Sequence, residues 1–362
     1  MEDVKKLLEK MLNKNAIEAE NLVQKHFTVN KGRVLIFGDL HLSSTYEGTH
    51  KSYLYECMMN MIRIRKIVDE TDDVGAVFFL GDLIGVKERN IRDRRFLKEV
   101  LTFFIHLNDK TGGNVYSVKG NHDFGDYSDF DLLVGLGILK NPTYVDYVSE
   151  NGLEIRFHFV NYGYEDKALN FPSVTDSPVS ASNVILCHQD LQIPGVTNWY
   201  TTKDGITLAT QKNWSGVDLI IAGHIHTPCK SIMYTKIEGN EVGLFYTGSP
   251  SRVSERFECC WYFDFRYNQI EKATDFSAEV FELVPVKEAF HDSDEYFSED
   301  SEEDTLDEIR SQALVDVVKE IMDGRVVAGD LFQQIKSMPT DRVKAKDIAC
   351  KYLQMAIDEV KK

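Results

Sequence analysis

The chain has 362 residues, 43% of them hydrophobic and 27% charged, with a formal net charge of −17. That length suits one large domain with a small appendage, and the composition is that of a water-soluble globular protein. No apolar run approaches the ~20 residues that cross a bilayer, so a membrane-spanning class is excluded.

Met1 to Lys14 alternates charge with Leu and Met, which is not a signal-peptide pattern, and the expected compartment is the cytoplasm. Six cysteines, Cys57, Cys187, Cys229, Cys259, Cys260 and Cys350, form no CxxC pair, which argues for reduced thiols and against a zinc ribbon. Asp292 to Glu308 holds ten acids and no Lys or Arg, so more than half of the net charge sits there. The charge argues against a broad basic binding face, but not against local phosphate contacts.

In chain order, residues 1–30 are expected to be a helical extension, with Val4, Leu7, Leu8 and Met11 at helical spacing. Residues 31–290 form the expected catalytic domain. Short apolar runs alternate there with helical stretches, and each run ends in a polar cluster. Val34–Phe37 precedes GDLH, Ala76–Leu80 precedes GD, Val115–Val118 precedes GNHD, Val184–Cys187 precedes HQ, and Leu219–Ala222 precedes GHIH. Runs of four or five apolar residues bounded by Gly read as buried strands. Tyr53–Val68 and Ile91–Leu107 read as the helices between the first three. The pattern predicts an α/β fold with polar residues at the carboxyl ends of strands, where open α/β sheets place their ligands.

Val280–Val286 is a candidate further strand. Residues 291–304 are an acidic linker of disordered composition. Residues 305–362 are a helical tail: Thr305 and Glu308 have capping-box spacing, Leu314, Val317, Val318 and Ile321 share one face, and Ala349, Leu353, Ala356 and Val360 form a second stripe.

Five blocks carry chemistry: Asp39-x-His41, Asp82, Asn121-His122-Asp123, His188 and His224-x-His226. Each alone is weak, since a lone His after a strand is usually structural and GHxH is often a solvated turn. Together, each directly after an apolar run, they point to a pair of divalent metals. Two cations ~3.5–4 Å apart neutralise phosphoryl oxygens and generate hydroxide near neutral pH. Such close cations need an anionic bridge, and Asp82 is the candidate. Imidazole and carboxylate donors suit Mn²⁺, Fe²⁺ or Zn²⁺ better than Ca²⁺.

GDLHL, GDLIG, GNHD, HQ and GHIH, spread over about Arg33 to Phe265, resemble the five motifs of calcineurin-like metallophosphoesterases. The resemblance implies a four-layer α-β-β-α sandwich flanked by the N-terminal helical extension and the C-terminal helical tail. It implies a first metal held by Asp39, His41, Asp82 and His226, and a second held by Asp82, Asn121, His188 and His224. Two divalent ions are expected, Mn²⁺ first, with Fe²⁺, Zn²⁺ or Mg²⁺ as alternatives. His122 is then no ligand but a catalytic general acid or charge stabiliser facing the phosphate, with Asp123 fixing its ring.

Within that superfamily the chain is most similar to the SbcD/Mre-type DNA repair and recombination nucleases. The carriers are ILCHQ with Gln189 after the ligand, the Tyr246-x-Gly248-Ser249-Pro250 turn, and the exit strand Trp261–Phe265 followed by Val280–Val286 and Phe290. This implies exonuclease or endonuclease action on DNA, nucleoid association, a homodimer, and an SMC-like coiled-coil ABC ATPase partner of the SbcC type docked on the C-terminal helices. Lys87, Arg89, Arg92, Arg94, Arg95 and Arg252 are candidate phosphate contacts, although Lys87 to Lys98 also fits a solvated helix face. Tyr162 and Tyr164 are candidates to stack on bases or to pack. The two tail stripes equally fit packing on each other or on the core.

There are departures from that group. Gly85 stands where many relatives carry a polar residue, and the remaining chain is too short for a full DNA-capping domain. The same five motifs also fit phosphatases or phosphodiesterases of nucleotides, cyclic nucleotides or phosphoproteins, and a non-catalytic scaffold on the same fold.

Overall fold

The computed structural model describes residues 26–28, 33–43, 53–71, 74–85, 90–124, 128–148, 154–163, 182–192, 206–207, 216–229, 232–237, 239–250, 259–268, 273–282 and 313–317. Strand β2 (Arg33–Phe37) leads through helix α1 (Tyr53–Glu70) to β3 (Val74–Phe79), and helix α2 (Arg94–Lys110) leads to β4 (Val115–Ser117). These are the first three expected strands and their two helices. β2, β3 and β4 pair in parallel. β13 (Cys259–Asn268) joins β2 antiparallel, with Trp261 opposite Ile36, and β14 (Ala273–Glu282) completes a five-stranded sheet in the order β14-β13-β2-β3-β4. The first part of the candidate strand at Val280–Val286, up to Glu282, is the end of β14, which begins earlier, and residues 283–286 lie outside the described residues.

The second sheet has seven strands in the order β1-β5-β6-β7-β10-β12-β11. They are β1 (His26–Thr28), β5 (Tyr144–Val148), β6 (Glu154–Val160), β7 (Ser182–His188), β10 (Leu219–Gly223), β11 (Met233–Ile237) and β12 (Asn240–Tyr246). β8 (Leu191–Gln192) and β9 (Ile206–Thr207) form a separate two-stranded ladder. β1 corrects one boundary: His26–Thr28 lies within the stretch read as a helical extension, yet it pairs in parallel with β5.

Period-two alternation assigns each face of the five-stranded sheet to a different core. Leu35, Phe37, Val77, Phe79 and Val115 point to one cluster, with Met61 and Ile64 of α1 and Val100, Phe103 and Phe104 of α2. Val34, Ile36, Ala76, Phe78 and Tyr116 point to the other, against Tyr147, Phe157, Val184 and Leu186 of the seven-stranded sheet. β2, β3 and β4 are thus buried on both faces, which is why these strands read as unbroken apolar runs. These layers are helix, sheet and sheet. Among the described residues no helix covers the outer face of the seven-stranded sheet, so the fourth layer of the expected sandwich is not seen in them.

Local chemistry sets the helix ends. Asp93 caps α2, its carboxylate accepting from the Phe96 amide at 2.7 Å, and Gly112 and Gly113 with positive φ end that segment. Ser128 caps the short helix α3 (Asp129–Gly135).

Residues 313–317 are helical, and Ala313, Leu314, Val315 and Val317 are buried in the helix-side core. Asp316 pairs with Arg94 on α2 at 3.7 Å. Of the two alternatives for the Leu314 stripe, packing on the core is what this part of the chain does. The remainder of the helical extension, the acidic linker and the rest of the tail, with its Leu353 stripe, lie outside the described residues.

Phe78 is fully buried at the junction of the two sheets, with its ring centroid 4.7 Å from Phe157 and 5.5 Å from Phe159. Phe78→Ala is expected to cost about 3–5 kcal/mol of stability through the cavity it leaves, read as a lowered midpoint in denaturant unfolding.

Candidate metal centre

Register aligns the strand ends. Phe37 pairs with Phe79 and Phe79 with Ser117, so β2, β3 and β4 finish level and release the loops of Asp39, Asp82 and Asn121 at one edge. In the other sheet Gly223 pairs with His188, which sets His224 beside it. The two edges meet. The His188 Nδ1 lies 2.6 Å from the Leu80 carbonyl, and the His224 amide donates to both Asp39 carboxylate oxygens at 3.0 and 3.1 Å.

Four residues of this edge, Asp39, His41, Asp82 and His224, have positive φ of 55°, 46°, 54° and 78°, and they are the only non-glycine residues with positive φ among those described. Such left-handed backbone costs about 1–3 kcal/mol where a side chain is present, and it persists where the surroundings enforce it. All four are candidate ligands. The turn after each strand folds the chain back so that the next side chains enter one pocket, and the strain is concentrated at the chemistry. Gly120 shows how tight the packing is: a Cβ there would collide with the Asp82 carboxylate.

All seven expected ligands converge. His188 Nε2 lies 3.2 Å from Asp82 Oδ2 and 3.0 Å from Asn121 Oδ1, and His224 Nδ1 also lies 3.0 Å from Asn121 Oδ1. His41 Nε2 lies 2.9 Å from His226 Nε2, 3.7 Å from Asp82 Oδ2 and 3.8 Å from Asp39 Oδ1. Two donor groups result, Asp39-His41-His226 and Asp82-His188-His224, each with donor atoms within 4.8 Å of one another. Asp82 Oδ2 is near ligands of both groups, as a bridging carboxylate requires. The Nδ1 of His188, held by the Leu80 carbonyl, fixes the tautomer that leaves Nε2 as the electron-pair donor.

The electrostatics also fit a cation pair. Burial raises the Asp39 carboxyl to about 8, the His188 imidazolium only partly opposing this. Burial alone would raise Asp82 too, but the imidazoles of His188, His41 and His122 hold it well below the carboxylate range. His188 would be lowered by burial, yet Asp82 and Asp39 lift it to about 9. Burial, reinforced by neighbouring imidazoles, lowers His41 and His224 to about 3, which keeps them neutral and able to donate. The upward shifts of Asp39 and His188 both favour protons beside this buried pair of carboxyl groups. Divalent cations held by these residues would supply positive charge in place of those protons. The donor set of two carboxylates, one amide oxygen and four imidazoles therefore suits divalent transition metals.

His122 sits at the rim. Its side chain is 26% exposed, against 18% for His226 and 1% or less for His41 and His188. Its amide donates to Asp82 Oδ1 at 2.9 Å, and its Nε2 is 3.9 Å from Asp82 Oδ2. The ring lies close enough to His41 and Asp82 to share a metal with them, and its greater exposure leaves it accessible to substrate.

Asp123 is a correction. It was expected to fix the His122 ring, but its carboxylate accepts instead from three backbone amides, Asp82 at 2.8 Å, Leu83 at 2.8 Å and Gly120 at 2.9 Å. It clasps the second and third loops together. Its full burial is compensated by those amides, and no hydrogen bond joins it to His122.

The candidate substrate contacts do not form one free basic surface among the described residues. Arg92 and Arg95 are exposed at the start of α2. Arg94 pairs with Asp316 and Lys98 with Glu99 at 3.3 Å, so part of the basic run is engaged within the chain. Lys87, Arg89, Arg252 and Tyr164 lie outside the described residues. Tyr162 is at the pocket, its ring centroid 5.8 Å from that of His224 and 6.2 Å from that of His188.

The motif reading missed two residues. Ser249 donates its hydroxyl to the Asp39 carbonyl at 2.7 Å. Tyr246 bonds both to the Leu191 amide and to the Leu191 carbonyl through its hydroxyl, at 2.8 and 3.0 Å. Both belong to the YxGSP turn, which was noted in the sequence without a role for its side chains.

Residues 32–228, more than half of the chain, match the calcineurin-like phosphoesterase family, and the chain belongs to it. It is therefore a member of a phosphoester-hydrolase superfamily that uses divalent metals. Comparison with solved structures finds a conserved protein of Streptococcus pneumoniae described as a predicted phosphoesterase, at 13% identity and a TM-score of 0.27, covering 70% of this chain and 98% of that one. It also finds Vps29 of Chaetomium thermophilum, at 12% identity and 0.27, covering 70% and 96%. The 5'-nucleotidase of Candida albicans aligns at 10% identity and 0.30, covering 90% and 60%. No curated protein matches the chain. No helix among the described residues is long and apolar enough to cross a membrane.

Asp82→Ala is expected to lower the divalent metal bound per chain, counted by elemental analysis after dialysis. Asp123→Ala leaves three buried amides without their acceptor, each costing about 1–3 kcal/mol. It should lower the thermal midpoint strongly, whereas a residue that merely oriented His122 would leave the midpoint unchanged.

Proposed function

We propose that the chain is a Mn²⁺-dependent phosphodiesterase that cleaves DNA, of the SbcD/Mre nuclease type. The observation that carries the phosphodiesterase chemistry is the meeting of Asp39, His41, Asp82, Asn121, His188, His224 and His226 at one edge of two sheets. The bound cations, when present, supply charge neutralisation for the phosphoryl oxygens and an acidified water. Asp82 spans the two donor groups, and Asn121 is shared by His188 and His224 on the second side. His122 at the rim is placed to give a proton to the leaving oxygen or to balance charge on the phosphate.

The DNA reading is supported by the ILCHQ and YxGSP blocks, by exposed Arg95 on the helix that follows the Asp82 loop and exposed Arg92 just before that helix, and by Tyr162 beside the pocket. An SMC-like ATPase partner of the SbcC type remains part of the proposal. With the Leu314 face covered within the chain, that docking falls to the Leu353 stripe. Homodimerisation and a role in repair or recombination follow from the same reading.

Linear double-stranded DNA and bis-p-nitrophenyl phosphate, offered in Mn²⁺, distinguish the candidates. Turnover of both supports the nuclease, and turnover of the small ester alone reassigns the chain to a phosphatase or small-molecule phosphodiesterase. His122→Ala is expected to keep both ions while losing at least about a hundredfold in DNA hydrolysis, measured as initial rates beside metal content. Full activity in that variant would remove His122 from the chemistry.

A further inference from the structure

We infer that Ser249 and Asn60 are positioning residues for the first of the two metal sites, linking the helix layer to the ligand loops. The inference rests on the dinuclear reading above.

Ser249 is 1% exposed and touches two loops at once. Its hydroxyl donates to the carbonyl of Asp39 at 2.7 Å, and its amide donates to the carbonyl of His226 at 3.3 Å. Asp39 and His226 belong to one donor group, with His41. These two bonds of Ser249 thus reach the backbone of two candidate ligands of the first site. Asp39 holds its left-handed φ of 55° in this loop. A strained loop relaxes unless something restrains it, and the Ser249 hydroxyl grips the carbonyl of the strained residue itself.

The turn that presents Ser249 is secured in its own right. Thr247 donates its amide to the Ala222 carbonyl at 3.2 Å, which keeps the turn level with the end of β10. Gly248 has φ of 70°, and a Cβ there would press on Pro228 at 2.8 Å. From the opposite side, Asn60 of α1 donates its side-chain amide to the Pro250 carbonyl. Asn60 is fully buried in a helix whose inward neighbours are Cys57, Met61 and Ile64. An amide in an apolar layer costs stability unless it is bonded, and a leucine would pack there without that cost. The Asn is explained by the carbonyl it satisfies. The path runs from α1 through Asn60, Pro250 and Ser249 to Asp39 and His226.

The experiment titrates the full chain with Mn²⁺ by calorimetry and follows the same samples by electron paramagnetic resonance. Wild type is expected to take up two ions with the spectrum of an exchange-coupled pair. Ser249→Ala should weaken one site about tenfold and leave the other unchanged, the worth of one buried hydrogen bond. At one to two equivalents its spectrum should show uncoupled Mn²⁺. Ser249→Thr, which keeps the hydroxyl, should restore the pair. Asn60→Leu should weaken the same site by a smaller factor while the fold stays intact by circular dichroism. Equal weakening of both sites, or unchanged affinity in Ser249→Ala, overturns the inference and leaves the metal centre standing. A wild-type chain that binds fewer than two ions overturns the dinuclear reading and the inference with it.

Discussion

Everything in this molecule depends on holding two carboxylates and four imidazoles together out of water. Left alone, such a cluster repels itself and favours protonation, the direction in which burial pushes the Asp39 carboxyl and the neighbouring carboxylates push His188. The scaffold answers with rigid strand ends. Two sheets, each buried on its inner face, stop at the same level and offer their loops to one another. Neither sheet alone carries a complete donor group, since Asp39 and His41 follow β2 whereas His226 follows β10. The packing of Phe78 against Phe157 and Phe159 is therefore part of the site, because it sets the distance between the two edges.

Backbone strain is distributed with purpose. The left-handed residues are candidate ligands, and the groups that restrain them are nearby polar contacts: Asp123 on three amides, Ser249 on a carbonyl, His188 on another. Those contacts offset the strain locally. The loops can then be short, which limits how far a ligand can wander. A pocket built this way is preorganised for a pair of cations, and the metal adds charge balance rather than shape.

Much of this was legible in the sequence, for identifiable reasons. The five strands that carry candidate ligands have buried apolar runs that stand out, each before a polar cluster, and four of the five lead into it through a Gly. α1 and α2 showed at helical spacing for the same reason that they pack, through one apolar face. β5 and β6 were not read, because Tyr144–Val148 and Glu154–Val160 mix charged residues into the run: Arg156 and Asp146 pair across the ladder at 2.6 Å. The seven candidate ligands were nameable because their residue types are chemically costly to bury without a purpose. The role of Asp123 was misread, since sequence adjacency to His122 suggested contact while the fold turned the carboxylate toward Asp82 and Gly120. Ser249 was missed because a hydroxyl bonded to a backbone carbonyl leaves no trace in composition or spacing. The burial of Leu314 likewise depends on where residues far apart in the chain come to rest.

The pairing of β13 with β2 bears on how the protein is assembled. β2 is made long before β13, and Ile36 finds its outer neighbour, Trp261, only after more than two hundred further residues have followed. Until then β2 is an open edge with unpaired amides and carbonyls, able to template pairing with another chain. Closing so distant a contact is slow. During synthesis the first three strands and their helices therefore constitute a vulnerable intermediate, and aggregation at that stage, rather than loss of the finished fold, is where this architecture is weakest.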